Sequence, residues 1–257
     1  MKKAASLLIL LMVVLVLPAQ ENVTVLDGMT GTQLYADPNG IIYLVSGSKL
    51  SKLDENGKLL RSFDDSFLGD ITSVDVDNPL KIMVFYRESG KIVVLDDRLT
   101  PIVEPLDLFA HGYVSVTLAA YSTDNLIWLY DKSSRELVCM DFFFKERLRN
   151  RLNFSDFEPS QLLACQERVL LMNNPGDGIY LFDAFGTLVK RIPIETKRIV
   201  GYSKSRIAYL TKDAIGEYYH LGLQDHRTML PDESVSAVWV SPKLYYLDKM
   251  SRLTIVE

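Results

Sequence analysis

Short apolar strands, separated by turns that contain an aspartate and a glycine, recur along the chain. Residues 52–63 read KLDENGKLLRSF and residues 180–192 read YLFDAFGTLVKRI. In both, the aspartate and the glycine flank two variable residues between apolar runs, which predicts a β-hairpin whose glycine adopts a positive φ. Residues 94–103, VLDDRLTPIV, begin in the same way but have Pro101 in place of the glycine turn. The pattern indicates short antiparallel strands joined by tight turns.

These turns belong to units of about forty residues, each with up to four short strands. Expected first strands begin near residues 33, 71, 114, 160, 198 and 235, a spacing of 37 to 46 residues. That spacing is typical of propeller blades, so the predicted fold class is all-β, a β-propeller with six four-stranded blades. A pair of β-sandwiches and a ring of five or seven blades remain alternatives, because the fifth unit repeats least clearly. Residues 143–152 are the only stretch that fits a helix.

The two ends of the predicted domain indicate how the ring closes. The sixth unit has strands at residues 235–240, 243–248 and 253–256 but lacks a fourth. Residues 22–26, NVTVL, have the pattern of a strand without a partner in their own unit. Pairing residues 22–26 with residues 253–256 would complete the last blade and cover two open sheet edges.

Residues 1–19 have the pattern of a secretory signal peptide. Lys2 and Lys3 precede fourteen uncharged positions, residues 4–17, and Pro18 and Ala19 follow. A basic start, a short apolar core and a small residue before a polar junction are typical of a segment removed on export. The apolar core is shorter than the roughly 20 residues that span a bilayer, so we expect no transmembrane span in the mature chain. The predicted mature protein, residues 20–257, is one domain in the periplasm or associated with the outer membrane.

Charge and cysteine content limit the partners and the redox chemistry. The chain has 28 Lys and Arg against 33 Asp and Glu, so its net charge of −5 becomes −7 without Lys2 and Lys3. An acidic protein is disfavoured as a nucleic-acid partner, since phosphates require a basic surface. Cys139 and Cys165 are too few for a disulfide framework, and their positions on different strands of neighbouring units predict two separate thiols.

No motif for catalysis, a cofactor or a metal stands out. Asp75, Asp77 and Asn78 follow a predicted strand, but Pro79 comes next where a calcium loop would continue with a turn glycine and a late glutamate. We therefore interpret this segment as a turn. Residues 201–205 lack the second glycine of the serine-hydrolase motif. We expect no catalytic residues, no cofactor and no metal ligands.

One segment is both basic and aromatic. Residues 142–158, FFFKERLRNRLNFSDFE, contain five phenylalanines and four basic residues between the third and fourth units. Because arginine and aromatic side chains are enriched at protein interfaces, the segment is the candidate partner-binding surface. Its candidate residues are Phe143, Phe144, Arg147, Arg149 and Arg151. The alternative is an outer strand whose arginines face solvent and whose leucines pack beneath.

Two segments resemble a known group of proteins. Residues 70–97, DITSVDVDNPLKIMVFYRESGKIVVLDD, and residues 173–194, NNPGDGIYLFDAFGTLVKRIPI, resemble an uncharacterised family of exported bacterial β-propeller proteins. The turn pattern is also similar to that of NHL-type and YncE-type propellers. The resemblance implies a propeller fold and an envelope location, and it brings no catalytic residues with it.

These observations favour a non-enzymatic interaction or scaffold module of the bacterial cell envelope that binds envelope proteins. A propeller presents broad faces around a central channel and serves many functions. One alternative is a propeller-type hydrolase or lactonase, which would need carboxylates, Asn or His from several first strands around a metal at the channel mouth. The first strands are mostly apolar or small, which disfavours that site. A second alternative is a binder of a small ligand in the channel.

Overall fold

The chain folds into six antiparallel sheets of four strands each, counted over the residues that the structure describes. The structure is a computed structural model, and it describes residues 23–122, 125–165, 167–173, 178–202, 206–219, 225–230, 234–240 and 243–256. The sheets are arranged as the blades of a β-propeller. The predicted signal peptide, residues 1–19, lies outside the described residues.

Five blades are simple meanders, and the sixth combines strands from both ends of the domain. The chain begins with β1 (Val23–Thr30), which belongs to blade six. Blade one contains β2 (Gln33–Ala36), β3 (Ile42–Ser46), β4 (Lys49–Leu53) and β5 (Leu59–Asp64). Blade two contains β6 (Ser73–Asp75), β7 (Ile82–Tyr86), β8 (Lys91–Leu95) and β9 (Leu106–Asp107). Blade three contains β10 (Val116–Ser122), β11 (Leu126–Asp131), β12 (Glu136–Asp141) and β13 (Glu146–Arg151). Blade four contains β14 (Pro159–Cys165), β15 (Arg168–Asn173), β16 (Ile179–Asp183) and β17 (Leu188–Ile192). Blade five contains β18 (Arg198–Tyr202), β19 (Arg206–Leu210), β20 (Ala214–Tyr219) and β21 (Asp225–Met229). Blade six contains β22 (Ser236–Val240), β23 (Lys243–Leu247), β24 (Arg252–Val256) and β1.

The meander decides which loops share a face of the propeller. Because neighbouring strands are antiparallel, the connections between blades lie on the same face as the turns between second and third strands. We call this the upper face. The turns between first and second strands, and between third and fourth strands, lie on the opposite, lower face. The first strand of each blade lines the central channel.

The predicted six-bladed architecture and its closure are confirmed. First strands begin at residues 33, 73, 116, 159, 198 and 236, within two residues of the expected positions. In blade six, Val23 pairs with Val256 and Val25 with Thr254, so β1 is the outer strand beside β24. The fifth unit, which repeats least clearly in the sequence, forms a complete blade. Residues 143–152, the only stretch that fits a helix, contain β13 instead, as the outer-strand alternative predicts, and its side chains alternate with the period of two expected for a strand.

A five-residue aspartate turn explains the recurring hairpin pattern. In the turn at Asp54, the side chain accepts hydrogen bonds from the backbone N–H groups of Asn56 and Lys58, both at 2.9 Å. The fourth residue, Gly57, has a φ of 77°. Equivalent turns begin at Asp37, Asp96, Asp141, Asp183 and Asp248. In the turn at Asp96, Leu99 takes the positive φ, so the turn is complete before Pro101.

Apolar side chains fill the space between neighbouring blades. Between blades three and four, Tyr130, Phe157 and Phe182 are almost completely buried. Cys139 is buried on β12 and Cys165 is partly exposed at the end of β14, and no disulfide joins them, as predicted. In the described part of the chain, no helix has the length and apolar character required to cross a membrane.

Candidate functional site

The predicted partner-binding residues lie on β13, the outer strand of blade three, and on the turn before it. Phe143 is on the lower face and is 90% exposed. Phe144 packs against the core between blades two and three, and its ring stacks on that of His111 with the centroids 3.6 Å apart. The structure therefore separates the two phenylalanines, and of the two Phe143 is the one that presents its ring to solvent.

The arginines of β13 are exposed, and two of them are held by ion pairs. Arg147 lies 3.3 Å from Asp141, and Arg149 contacts both Glu136 and Glu146. The hydrogen bond from Arg149 lowers the pKa of Glu146, so this carboxylate stays charged. The basic character that the sequence indicates is therefore partly balanced. The sequence window 142–158 contains Glu146 but could not show the contribution of Glu136, which comes from the neighbouring strand β12.

The structure adds a second exposed phenylalanine to this region. Phe185, on the turn of blade four that follows Asp183, is 74% exposed. The side chain of Asn150 on β13 donates a hydrogen bond of 2.7 Å to the backbone oxygen of Phe185. The same turn packs so closely on blade three that a Cβ at Gly186 would lie 2.9 Å from Leu148. Contacts between the blades thus hold the turn that carries Phe185 beside the arginine-bearing strand.

Phe143 and Phe185 occupy the same position, the third residue of an aspartate turn, in adjacent blades. Both are on the lower face, since both turns join third and fourth strands. We define the blade 3–4 surface as Phe143, Arg147, Arg149, Arg151 and Phe185. It follows the outer edge of β13: the arginines project on the side of blade two, where Arg149 lies over the ring of Tyr113, and Phe185 lies on the side of blade four, next to Asn150. The equivalence of the two turns is visible in the sequence and could have identified Phe185 as a candidate residue.

The central channel is the second candidate site. It has a volume of about 690 Å³, which is the size of a small-ligand pocket. Side chains connect neighbouring blades around it: Gln33 donates a hydrogen bond to the backbone of Thr72, and Gln161 exchanges two with Ile199. These bonds satisfy backbone groups on the inner edges of the first strands, and they hold the blades in place around the channel.

Asp75 and Asp77 bring two carboxylates to the lower end of the channel. Asp75 accepts a backbone hydrogen bond from Asp77 at 3.1 Å and another from Tyr121 of blade three at 3.0 Å. Asn78 accepts one from the backbone of Leu80 at 3.1 Å. The predicted turn is therefore present. It also has a role that the sequence did not indicate, because both carboxylates line the channel.

The surroundings of this pair disfavour ionisation. Burial, and then the negative charge of Asp77, raise the pKa of Asp75 above its ordinary value. Asp77 faces the channel, where the protein around it displaces part of its water, and this desolvation raises its pKa as well. At the end of β14, burial and then the charges of Asp77 and Asp75 raise the pKa of Cys165 to about 11. The thiol therefore stays protonated at neutral pH, which makes it a weak nucleophile.

The raised pKa of Asp75 predicts that stability depends on pH. Above the ordinary value of 3.8 and up to the raised value, the folded state holds a proton that the unfolded chain has lost. The free energy of unfolding should therefore fall as the pH rises through this window. Asp77→Asn removes the neighbouring charge, so we expect it to increase stability at pH 8 by up to about 1 kcal/mol and to change it little at pH 4.

Urea unfolding at pH 4 and pH 8 measures this effect. Asp97→Asn, on a lower-face turn outside the channel, removes the same charge and is the control. An equal change at both pH values for Asp77→Asn would show that the two channel carboxylates do not interact in the expected way.

Metal chemistry at the channel mouth would need more ligands than this pair supplies. Within the described ranges, no group of three or more His, Cys, Asp or Glu side chains is placed to hold a metal ion. The hydrolase alternative requires such residues from several first strands, whereas Asp75 and Asp77 both come from blade two.

The fold is similar to known propeller structures at low sequence identity. A streptogramin B lyase structure has a TM-score of 0.64 and 11% identity, over 93% of this chain and 97% of that chain. Virginiamycin B lyase from Staphylococcus aureus has a TM-score of 0.62 and 9% identity, over 92% and 98% of the two chains. The Pan2 WD40 domain from Neurospora crassa has a TM-score of 0.57 and 8% identity, over 88% of each chain. At these identities the likeness shows the propeller fold alone. No protein-family model and no curated protein matches the chain.

Proposed function

We propose that this protein is an exported, non-enzymatic interaction module of the bacterial cell envelope, and that a partner protein binds its blade 3–4 surface. The observation that carries the proposal is the placement of Phe143 and Phe185, which are 90% and 74% exposed, on adjacent blades beside an arginine-bearing strand. Exposed aromatic residues together with arginines are the combination that dominates binding energy at protein interfaces.

The energetics of this surface suit a partner protein. Full burial of an exposed phenylalanine contributes about 1.5–3 kcal/mol, so two such side chains can anchor a complex. The ion pairs of Arg147 and Arg149 already restrict these side chains, which reduces the entropy lost when a partner orders them. Ion pairs this exposed add little to folding stability, so the arginines can be changed without loss of the fold.

The proposed location is supported by the signal-peptide pattern of residues 1–19. N-terminal sequencing of the mature protein tests it, and we expect a chain that begins at Gln20 or Glu21 in the envelope fraction. A chain that retains Met1 in the cytoplasmic fraction would contradict export.

The binding proposal is tested with a pair of matched variants. Phe143→Ser together with Phe185→Ser removes both aromatic anchors from the blade 3–4 surface, and we expect recovery of the envelope partner to fall by about tenfold or more. Phe67→Ser is the control, because Phe67 is 98% exposed but lies on the connection between blades one and two, on the upper face. Quantitative co-purification from envelope extracts compares the three proteins.

A separate variant tests the arginines. Changing Arg147, Arg149 and Arg151 to Ser should weaken partner recovery while shifting the free energy of unfolding by only about 0.5 kcal/mol. Unfolding of this variant would show that the strand serves the structure alone. Equal partner recovery by the double phenylalanine variant and the Phe67→Ser control would rule out the blade 3–4 surface as the binding site.

A further inference from the structure

The central channel has basic side chains at one end and carboxyl groups at the other. Asp75 and Asp77 line the lower end, where blade two passes from its first strand to its second. Arg87, Lys197 and Arg198 line the upper end, where the connections between blades lie. The channel therefore presents a positive upper mouth and a lower mouth lined by carboxyl groups along one axis, although the whole protein is acidic.

Arg198 is held on an aromatic platform inside this channel. Its guanidinium carbon lies 4.5 Å from the ring centroid of Tyr35, which belongs to blade one. Two hydrogen bonds fix that ring: the Tyr35 hydroxyl donates to Gln33 at 2.5 Å and accepts from the backbone of Val74 at 3.1 Å. The arginine therefore rests on a rigid surface that two neighbouring blades build together.

The hydrogen-bond donors of Arg198 remain available for a ligand. In the part of the chain that the structure describes, no carboxylate lies within 4.0 Å of its guanidinium group, whereas Arg206, which also lines the channel, pairs with Glu217 at 2.7 Å. A guanidinium group presents a planar fork of N–H donors that matches the oxygens of a carboxylate or a phosphate. Stacking on Tyr35 leaves the edge of that fork open.

We propose that the channel binds a small anion with two or more negative charges, which enters from the upper face and is held by Arg198. The shared chemistry is that of a multiply charged oxyanion, either a polycarboxylate or a phosphate ester or anhydride. Lys197 and Arg87 add positive charge around the entrance, and a site lined by one sign of charge concentrates ligands of the opposite sign.

The far end of the channel orients such a ligand. An anionic group finds no attraction beside Asp75 and Asp77, and Arg206 at that end is already paired with Glu217, so the anionic end stays at the upper mouth. The wall between the two ends includes Leu118, Leu163 and Val200, which are partly exposed and can contact an uncharged portion. This site is separate from the blade 3–4 surface, so it does not depend on the function proposed above.

Isothermal titration calorimetry of the mature protein at low ionic strength tests the proposal, with citrate as the polycarboxylate and pyrophosphate as the phosphate. We expect at least one of them to bind, with an affinity that falls as sodium chloride is added. Arg198→Gln should weaken that binding by about tenfold or more, because charged hydrogen bonds are lost. Arg198→Lys keeps the charge without the planar fork of donors, so its affinity should lie between those of the unchanged protein and of Arg198→Gln.

Two controls make the result specific. Arg98→Gln changes the net charge equally on a lower-face turn outside the channel, and it should leave the affinity within about twofold of the original. The fluorescence of Trp239, which lines the channel, gives a second readout of the same titrations. The variant with Ser at positions 143 and 185 should bind the anions normally, whether or not it retains the partner protein.

Two results would overturn the proposal. The first is that neither citrate nor pyrophosphate binds the unchanged protein at low ionic strength. The second is that Arg198→Gln binds as tightly as the unchanged protein. Should Arg198→Gln fail to fold, the exposed pair Lys197→Gln and Arg87→Gln tests the same mouth, and an unchanged affinity in that double variant would also overturn it.

Discussion

Removing residues 20–27 is expected to lower the free energy of unfolding by about 3–5 kcal/mol, because blade six then loses most of its outer strand. The pairs Val23–Val256 and Val25–Thr254 disappear, together with the backbone hydrogen bonds between β1 and β24. The edge of β24 then becomes open. This strand carries Leu253 and Ile255, whose side chains are among the most buried in the blade. Thermal and urea unfolding of the mature and shortened proteins measure the loss.

A rearranged chain provides the control for this deletion. Placing residues 20–27 directly after residue 257 keeps the strand but changes its connection, since Val23 lies opposite Val256. Four residues then join Val256 to Val23, a loop length that antiparallel strands accept readily. We expect this protein to regain most of the lost stability. An unchanged melting curve after the deletion would show that β1 does not close the ring.

Phe157→Ala is expected to cost about 3–5 kcal/mol, the range for removing a buried aromatic side chain. Phe157 is 1% exposed, and its ring packs against Tyr180 with centroids 4.9 Å apart and against Phe154 at 5.3 Å. It lies on the connection between blades three and four and fills the space between them. Its loss should therefore loosen the two blades that carry the proposed binding surface.

Phe143→Ala is the matched control, because Phe143 comes from the same segment of sequence and is 90% exposed. We expect its free energy of unfolding to stay within about 0.5 kcal/mol of the original. Urea unfolding of both variants separates the structural phenylalanine from the functional one. Similar losses for the two would contradict the assignment of Phe143 to a binding surface.

The architecture could be predicted from the sequence because its signals are local. An aspartate turn such as Asp54–Gly57 is complete within five residues, and its hydrogen bonds form between neighbours in the chain. The alternation of apolar residues on either side then sets the strands and their register. The turn at Asp96 departs from the common pattern, because Leu99 and not a glycine adopts the positive φ. Nothing in the sequence marks a leucine for that conformation, so the visible irregularity there is Pro101.

The candidate sites could be predicted only in part, because they join residues that are distant in sequence. Phe143 and the arginines of β13 are visible as a basic aromatic segment, but Glu136 and Phe185 reach it through strand pairing and blade packing. In the channel, Arg198 meets Tyr35 from four blades earlier in the chain. Each first strand taken alone is mostly apolar or small. Polar groups such as those of Arg198 and Tyr35 come together only when the ring closes.

Site-specific photocrosslinking in intact cells shows directly whether a partner protein binds the blade 3–4 surface. A photoreactive amino acid replaces Phe185 in one protein and Phe67 in another, since both side chains are exposed but lie on opposite faces. We expect a discrete crosslinked envelope protein from position 185 and none from position 67. The crosslinked product should be lost when Arg147, Arg149 and Arg151 are changed to Ser. Crosslinks of equal strength from both positions, or none from position 185, would contradict binding at this surface.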